Sequence, residues 1–155
     1  MHFPIIKIES IDLKREDWTT DLDLDDACLN GHTDYYGDIY RPKARREVIE
    51  SKSFKEILDG IATIDTEKET ITFLDAGTIR QTLREYLLEL TTKLHEKAAR
   101  GELQGYELRG ATDEYKECYT MFYIERGYTC FEFIENAKWH AGETWQIGNI
   151  FDAHL

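Results

Sequence analysis

Apolar and polar positions along the chain switch between two periods, and the switches mark its elements. Residues 3–8 carry Phe3, Ile5, Ile6 and Ile8 and predict a short first strand. Asp21-Leu22-Asp23-Leu24-Asp25 alternates with period two, the pattern of an edge strand that turns its carboxylates to water. Phe54, Ile57, Leu58 and Ile61 then fall at helical spacing on one face. Ser53 and Glu56 stand at capping-box spacing ahead of that face, and Gly60 is placed to end the helix. Residues 61–66 and 70–74 flank Glu67-Lys68-Glu69 and predict a hairpin.

The strongest periodicity covers residues 77–100. Ile79, Leu83, Leu87, Leu90 and Leu94 lie along one stripe with Tyr86 beside it; Asp75 is placed to cap the start and Gly101 follows the last turn. A helix apolar on one side only must bury that side against something. The expected partner is a C-terminal hairpin, read from two strand-like runs at 117–125 and 128–135. A two-residue loop at Arg126-Gly127 would pair Glu125 with Tyr128, Tyr123 with Cys130 and Met121 with Glu132. Alternation then assigns Cys118, Phe122, Ile124, Phe131 and Phe133 to the face that meets the helix. Tyr119, Met121, Tyr123, Tyr128, Cys130 and Glu132 take the other face. The expected fold is α+β: an antiparallel sheet including a C-terminal hairpin, packed against one long amphipathic helix (about 77–100) plus a shorter helix. All of it falls in a single domain, 1–155.

Charge changes this picture more than composition does. The chain of 155 residues carries a net charge of −12. Residues 9–38 hold ten acids against Lys14 and Arg15, whereas residues 41–55 hold six bases against Glu47 and Glu50. Such a balance disfavours direct contact with nucleic acid or an anionic membrane, since phosphates are gripped by Lys and Arg. Aromatic residues reach 12%, too many for a disordered chain, so a packed core is expected. The three cysteines, Cys28, Cys118 and Cys130, form no close pair and suit a reducing, cytoplasmic setting. Neither a secretory leader nor a membrane-spanning apolar run is expected.

Motif chemistry is sparse. The Asp21–Asp26 run starts like a calcium loop, but Asp26 stands where glycine is needed and His32 where a bidentate glutamate is needed. Cys28 and His32 have the spacing of half a zinc site, with no second pair to complete it. Phosphate-loop, dinucleotide, nucleophile-elbow and zincin motifs do not occur, so no catalytic residue, metal or cofactor is expected. Cys130, Glu132 and His140, with Trp139, are the group from which a small enzyme or ligand site would be drawn.

Two features carry the functional expectation. One is the Tyr-rich face with Tyr119, Tyr123 and Tyr128, since tyrosine offers rigid contact area with a polar tip and is enriched at interfaces. The other is the acidic segment, where Asp17, Asp21, Asp23, Asp25 and Asp26 are interleaved with Trp18, Tyr35 and Tyr36. Spaced carboxylates with aromatic anchors suit a groove built for phosphates and bases. They predict an inhibitor that neutralises a basic nuclease or nucleic-acid-binding effector. In class this is the profile of an immunity protein, an antitoxin or a phage-encoded anti-defence (anti-CRISPR) protein, acting as a nucleic-acid mimic. A homodimer built on the Tyr face is the remaining reading.

Overall fold

The computed structural model describes residues 2–20, 35–110, 121–123, 127–128 and 130–154. The Asp21–Asp26 run, Cys28, His32, Cys118 and Tyr119 lie outside these residues. Element order is β1 (His2–Ser10), β2 (Tyr35–Ile39), α1 (Pro42–Glu50), α2 (Lys52–Ile57), β3 (Ala62–Asp65) and β4 (Thr70–Phe73). Next come α3 (Ala76–Ala99), α4 (Gly105–Gly110), β5 (Met121–Tyr123), β6 (Gly127–Tyr128), α5 (Cys130–Ala137) and β7 (Thr144–His154). The fold is α+β, as the pattern predicts.

The strands form one sheet in the order β3-β4-β7-β1-β5-β6, with β2 also on β7. All pairings are antiparallel except β1 with β5, which run parallel. The central strand is β7, which the apolar pattern does not mark. The reason is a bulge: Ile6 pairs with Ile150 but Ile8 pairs with Ile147, so the register shifts between them. Ile147 and Ile150 are three apart yet both fully buried in one core, which breaks the period-two signature of a strand.

That core lies on the helix-covered side of the sheet. Ile6, Ile8, Ile71, Phe73, Ile147 and Ile150 from the strands meet Ile49, Phe54, Ile57, Ile79, Phe133 and Ile134 from the helices. A smaller cluster of Phe3, Ile5, Phe151 and Ala153 occupies the opposite face. Because β1 alternates, Lys7 and Glu9 follow Phe3 and Ile5 onto that opposite face, and both are buried.

Helix α3 starts where its cap was read: the Asp75 carboxylate accepts from the Thr78 backbone N–H at 2.9 Å. Gly101 follows its last turn with φ +71°, a conformation glycine adopts freely. Only Ile79 of its stripe is fully buried, while Leu83 and Tyr86 pack half-buried on the main core. The hairpin of β3 and β4 is also as read. The preceding helix is capped by Ser51, whose hydroxyl accepts from the Phe54 N–H at 3.1 Å, rather than by Ser53.

The C-terminal hairpin is the main correction. It exists, but shortened, and pairs Phe122 with Tyr128 and Tyr123 with Gly127. Gly127 is therefore a paired strand residue and not part of a two-residue turn, and Tyr123 and Tyr128 occupy non-equivalent register positions. Residues 130–137 are helix α5 where a strand was expected. Phe131 and Phe133 fit a strand's alternation, but Phe133, Ile134 and Ala137 also fit a helix, and these three are the residues buried. So short an apolar run satisfies both periods, and packing decides. Phe131 still meets the long helix, its ring centred 6.3 Å from that of Tyr86.

Candidate functional site

The acidic segment begins at Glu9, near the end of β1, and runs on into the loop that follows. Buried Glu9 and half-buried Gln146 and Asn149 hold this loop to the sheet. The Gln146 amide donates to the carbonyls of Ser10 and Leu13, at 2.6 and 2.5 Å. Glu9 accepts from the Thr19 N–H at 2.9 Å, and Asn149 donates to the Thr19 carbonyl at 2.8 Å. Gly148 is needed for this approach: a Cβ there would lie 2.5 Å from Glu9 Cγ and 3.2 Å from the Lys7 carbonyl oxygen. Glu9 is itself buried and matched by Lys7 Nζ at 3.5 Å.

Trp18 closes the loop. It is 7% exposed, with the guanidinium carbons of Arg15 and Arg45 at 5.3 and 5.4 Å from the ring centre. Each such contact is worth about 0.5–2 kcal/mol, the upper end applying to desolvated pairs. The structure thus places Trp18 as an anchor of the loop to its own sheet, where the sequence suggested an anchor for a partner.

Arg45 reaches this position through a gap in the sheet. One edge of β7 pairs with β4 up to Gln146 and with β2 from Phe151, leaving the stretch between without a strand. Arg45, projecting from α1, fills it. Its Nη2 donates to the Ile147 carbonyl at 2.5 Å and meets Glu69 at 2.9 Å. Glu69 sits at φ 52°, rare for a residue with a side chain, and is held there because its carbonyl also accepts from the Ile147 N–H at 2.8 Å. Burial holds the Arg45 guanidinium below the ordinary arginine value; Glu69 opposes this and Arg15 adds to it. Arg45 Nε and Nη1 and Trp18 Nε1 are buried with no hydrogen-bond partner. Buried unmet donors cost about 1–3 kcal/mol each, more when charged.

Above this support, Asp12, Glu16 and Asp17 are exposed and enter no ion pair among the described residues. The basic stretch does not neutralise them. Lys43 pairs with Glu47, Arg45 with Glu69, Arg46 with Glu50 and Glu67, and Lys52 with Glu56. Every one of those partners lies outside 9–38. Ile11, 49% exposed, adds an apolar side chain beside Asp12.

Of the other residues read as partner-binding, Tyr35 and Tyr36 lie on β2, paired with His154 and Ala153 at the far end of β7. Tyr123 and Tyr128 lie on β5 and β6, beyond β1 from there. The enzyme-like group is not brought together. Cys130 opens α5 and His140 ends the 3₁₀ turn after it, ten residues apart on continuous helix, roughly 15 Å along the axis. His140 is instead held by Glu143, Nδ1 to Oε2 at 3.0 Å, and Trp145 donates to the same oxygen at 2.9 Å. Those bonds keep the Glu143 carboxyl below its ordinary value. Trp139 is 70% exposed. A groove of about 1020 Å³ runs along α3 from Thr82 to Lys97, lined also by Gly60, Tyr106 and Glu107, and neither Glu132 nor His140 is among its described lining residues.

Among the described residues no group of His, Cys, Asp and Glu is arranged to hold a metal, and no helix is long and apolar enough to cross a membrane. The residues that support the loop gave little sign in the sequence. Lys7 and Glu9 interrupt an otherwise apolar strand, a usable signal for a buried polar pair. Nothing local marks Arg45, Gln146 or Asn149, which act across more than 100 residues. Set against protein families, curated proteins and solved structures, the chain matches none of them.

Proposed function

We propose that the protein is an acidic protein-binding inhibitor that neutralises a basic nucleic-acid-processing partner, a nuclease or a nucleic-acid-guided effector. The observation that supports this reading is that Asp12, Glu16 and Asp17 have no ion-pair partner among the described residues. They stand exposed on a loop held from below, while the basic stretch directs its charge to other acids. Carboxylates free of internal partners, on backbone already ordered, lose little on meeting a cationic groove. Ile11 supplies an apolar contact at the rim, and in sequence Asp21, Asp23, Asp25 and Asp26 extend the acidic run. Charge of this density speeds association and excludes acidic partners.

The test is titration against a panel of basic nucleases, read as inhibition and as Kd over a range of salt. The expected result is binding that weakens steeply as salt rises, and that is lost on combining Asp12→Lys, Glu16→Lys and Asp17→Lys with Asp21→Lys and Asp23→Lys. Affinity indifferent to salt and to these reversals contradicts the mechanism.

A further inference from the structure

We propose that Arg45, Arg15 and Trp18 form a binding site for a small oxyanion, with the indole closing over it. Two adjoining side chains carry three buried donor atoms with no acceptor among the described residues: Arg45 Nε, Arg45 Nη1 and Trp18 Nε1. The Arg45 side chain is 4% exposed, so solvent does not satisfy it. Two guanidiniums share one ring, at 5.3 and 5.4 Å, and among the described residues Glu69 is the one carboxylate paired with either of them. The site thus holds an excess of positive charge in a chain of net charge −12.

That excess is unusual because acids are close at hand in sequence. Asp12, Glu16 and Asp17 all belong to the same loop, yet each points to solvent instead of inward. What the site lacks is a compact group that accepts hydrogen bonds on several sides and carries negative charge. Water would accept from the unmet N–H groups but leave the two like charges uncompensated. A phosphate, sulphate or carboxylate does both, and charge-assisted bonds to guanidinium are the strong kind. Exposed Arg15 marks the way in. Because the unmet atoms are closed off, entry requires the Trp18 ring to move, which makes its fluorescence the natural reporter. The site does not depend on the inhibitor reading, since none of the exposed carboxylates takes part.

The experiment titrates the full chain with inorganic phosphate, sulphate and acetate at ionic strength held constant with chloride. Calorimetry gives affinity, and emission is followed in a Trp139→Phe/Trp145→Phe background in which Trp18 is the remaining tryptophan. The expected result is saturable binding of at least one oxyanion at millimolar concentration, with a change in Trp18 emission that chloride does not cause. The three anions separate tetrahedral from planar preference. Arg45→Met should abolish binding; Arg15→Gln and Trp18→Phe, which keeps the ring but removes its N–H, should each weaken it about tenfold. Arg15 is at the surface, so Arg15→Gln keeps the test decisive even if Arg45→Met does not fold. No saturable response beyond chloride, or equal affinity in wild type, Arg15→Gln and Trp18→Phe, overturns the proposal.

Discussion

The loop after β1 and the long helix α3 both display acids to solvent, but they treat them differently. On α3 two of the three carboxylates have neighbours one turn away: Glu89 meets Lys93 at 3.0 Å and Glu85 accepts from Gln81 at 2.7 Å. Near its end Lys97 pairs with Glu107 of α4. Asp12, Glu16 and Asp17 have no such partners among the described residues, although Lys14 and Arg15 adjoin them in sequence. Regular helix geometry brings opposite charges at i and i+4 together. The loop has no such repeat, and its own guanidinium, that of Arg15, lies over Trp18. Three carboxylates on α3, set among the four bases Arg80, Arg84, Lys93 and Lys97, are therefore partly screened, whereas three on the loop, beside Lys14 and Arg15, are not.

The two regions also differ in what holds them, and substitutions can break that contrast. The largest effect is expected at Arg45. Arg45→Ala should cost about 3 kcal/mol, because it strips Glu69 and the Ile147 carbonyl of a buried partner. Exposed Arg84→Ala on α3 should change stability by less than about 0.5 kcal/mol. Urea unfolding of both variants checks the pair. If Arg45→Ala unfolds no more easily than Arg84→Ala, the loop is not held as described.

Next come two glycines, one under each region. Gly148→Ala pushes a Cβ against Glu9 and the Lys7 carbonyl. Gly60→Ala combines φ +76° with a Cβ 2.4 Å from Thr82 Oγ1 on α3. Each should lose about 2 kcal/mol. Only Gly148→Ala should also raise amide exchange at Thr19, whose N–H is held by Glu9. Uniform exchange changes in both variants would erase the distinction between the two supports.

A smaller effect concerns the start of α3. Bonds from the Thr78 hydroxyl and backbone N–H hold Asp75 below the ordinary carboxylate value. A carboxyl lowered in the folded state stabilises above its unfolded pKa and loses that contribution as pH falls through the folded one. Asp75→Ala should lower Tm by about 3 °C at neutral pH and by less at acid pH, as thermal scans across the range would show. A deficit that stayed constant into acid would mean the cap acts without its charge.

How far the sequence could be read follows the same division. Helix α3, its cap at Asp75 and the β3–β4 hairpin were legible because each is set by residues within one or two turns of each other. Strand β7 was not, since its bulge at Gly148 disrupts the alternation by which strands are found. Helix α5 was misread because Phe131 and Phe133 satisfy a strand's period while Phe133, Ile134 and Ala137 satisfy a helix's. The acidic run was evident at once. Its support was not, because Arg45, Gln146 and Asn149 meet the loop only after the chain has folded back on itself.

The smallest stability effect is expected where the binding effect should be largest. Reversing Asp12, Glu16 and Asp17 together to Lys should leave unfolding free energy within about 0.5 kcal/mol of wild type, because no ion pair is lost. Calorimetry checks this before any binding is measured; a marked loss of stability would show that these carboxylates have structural partners.

The most direct test of the account is a matched swap of charge between the two regions. Affinity for a basic nuclease selected by the panel titration would be measured for the triple reversal on the loop and for Glu85→Lys, Glu89→Lys and Glu96→Lys on α3, at one salt concentration. The two variants carry the same net charge. The account predicts a loss of about 100-fold for the loop variant and only a few-fold for the helix variant. Equal losses would mean that overall charge, not the loop, draws the partner, and would contradict it.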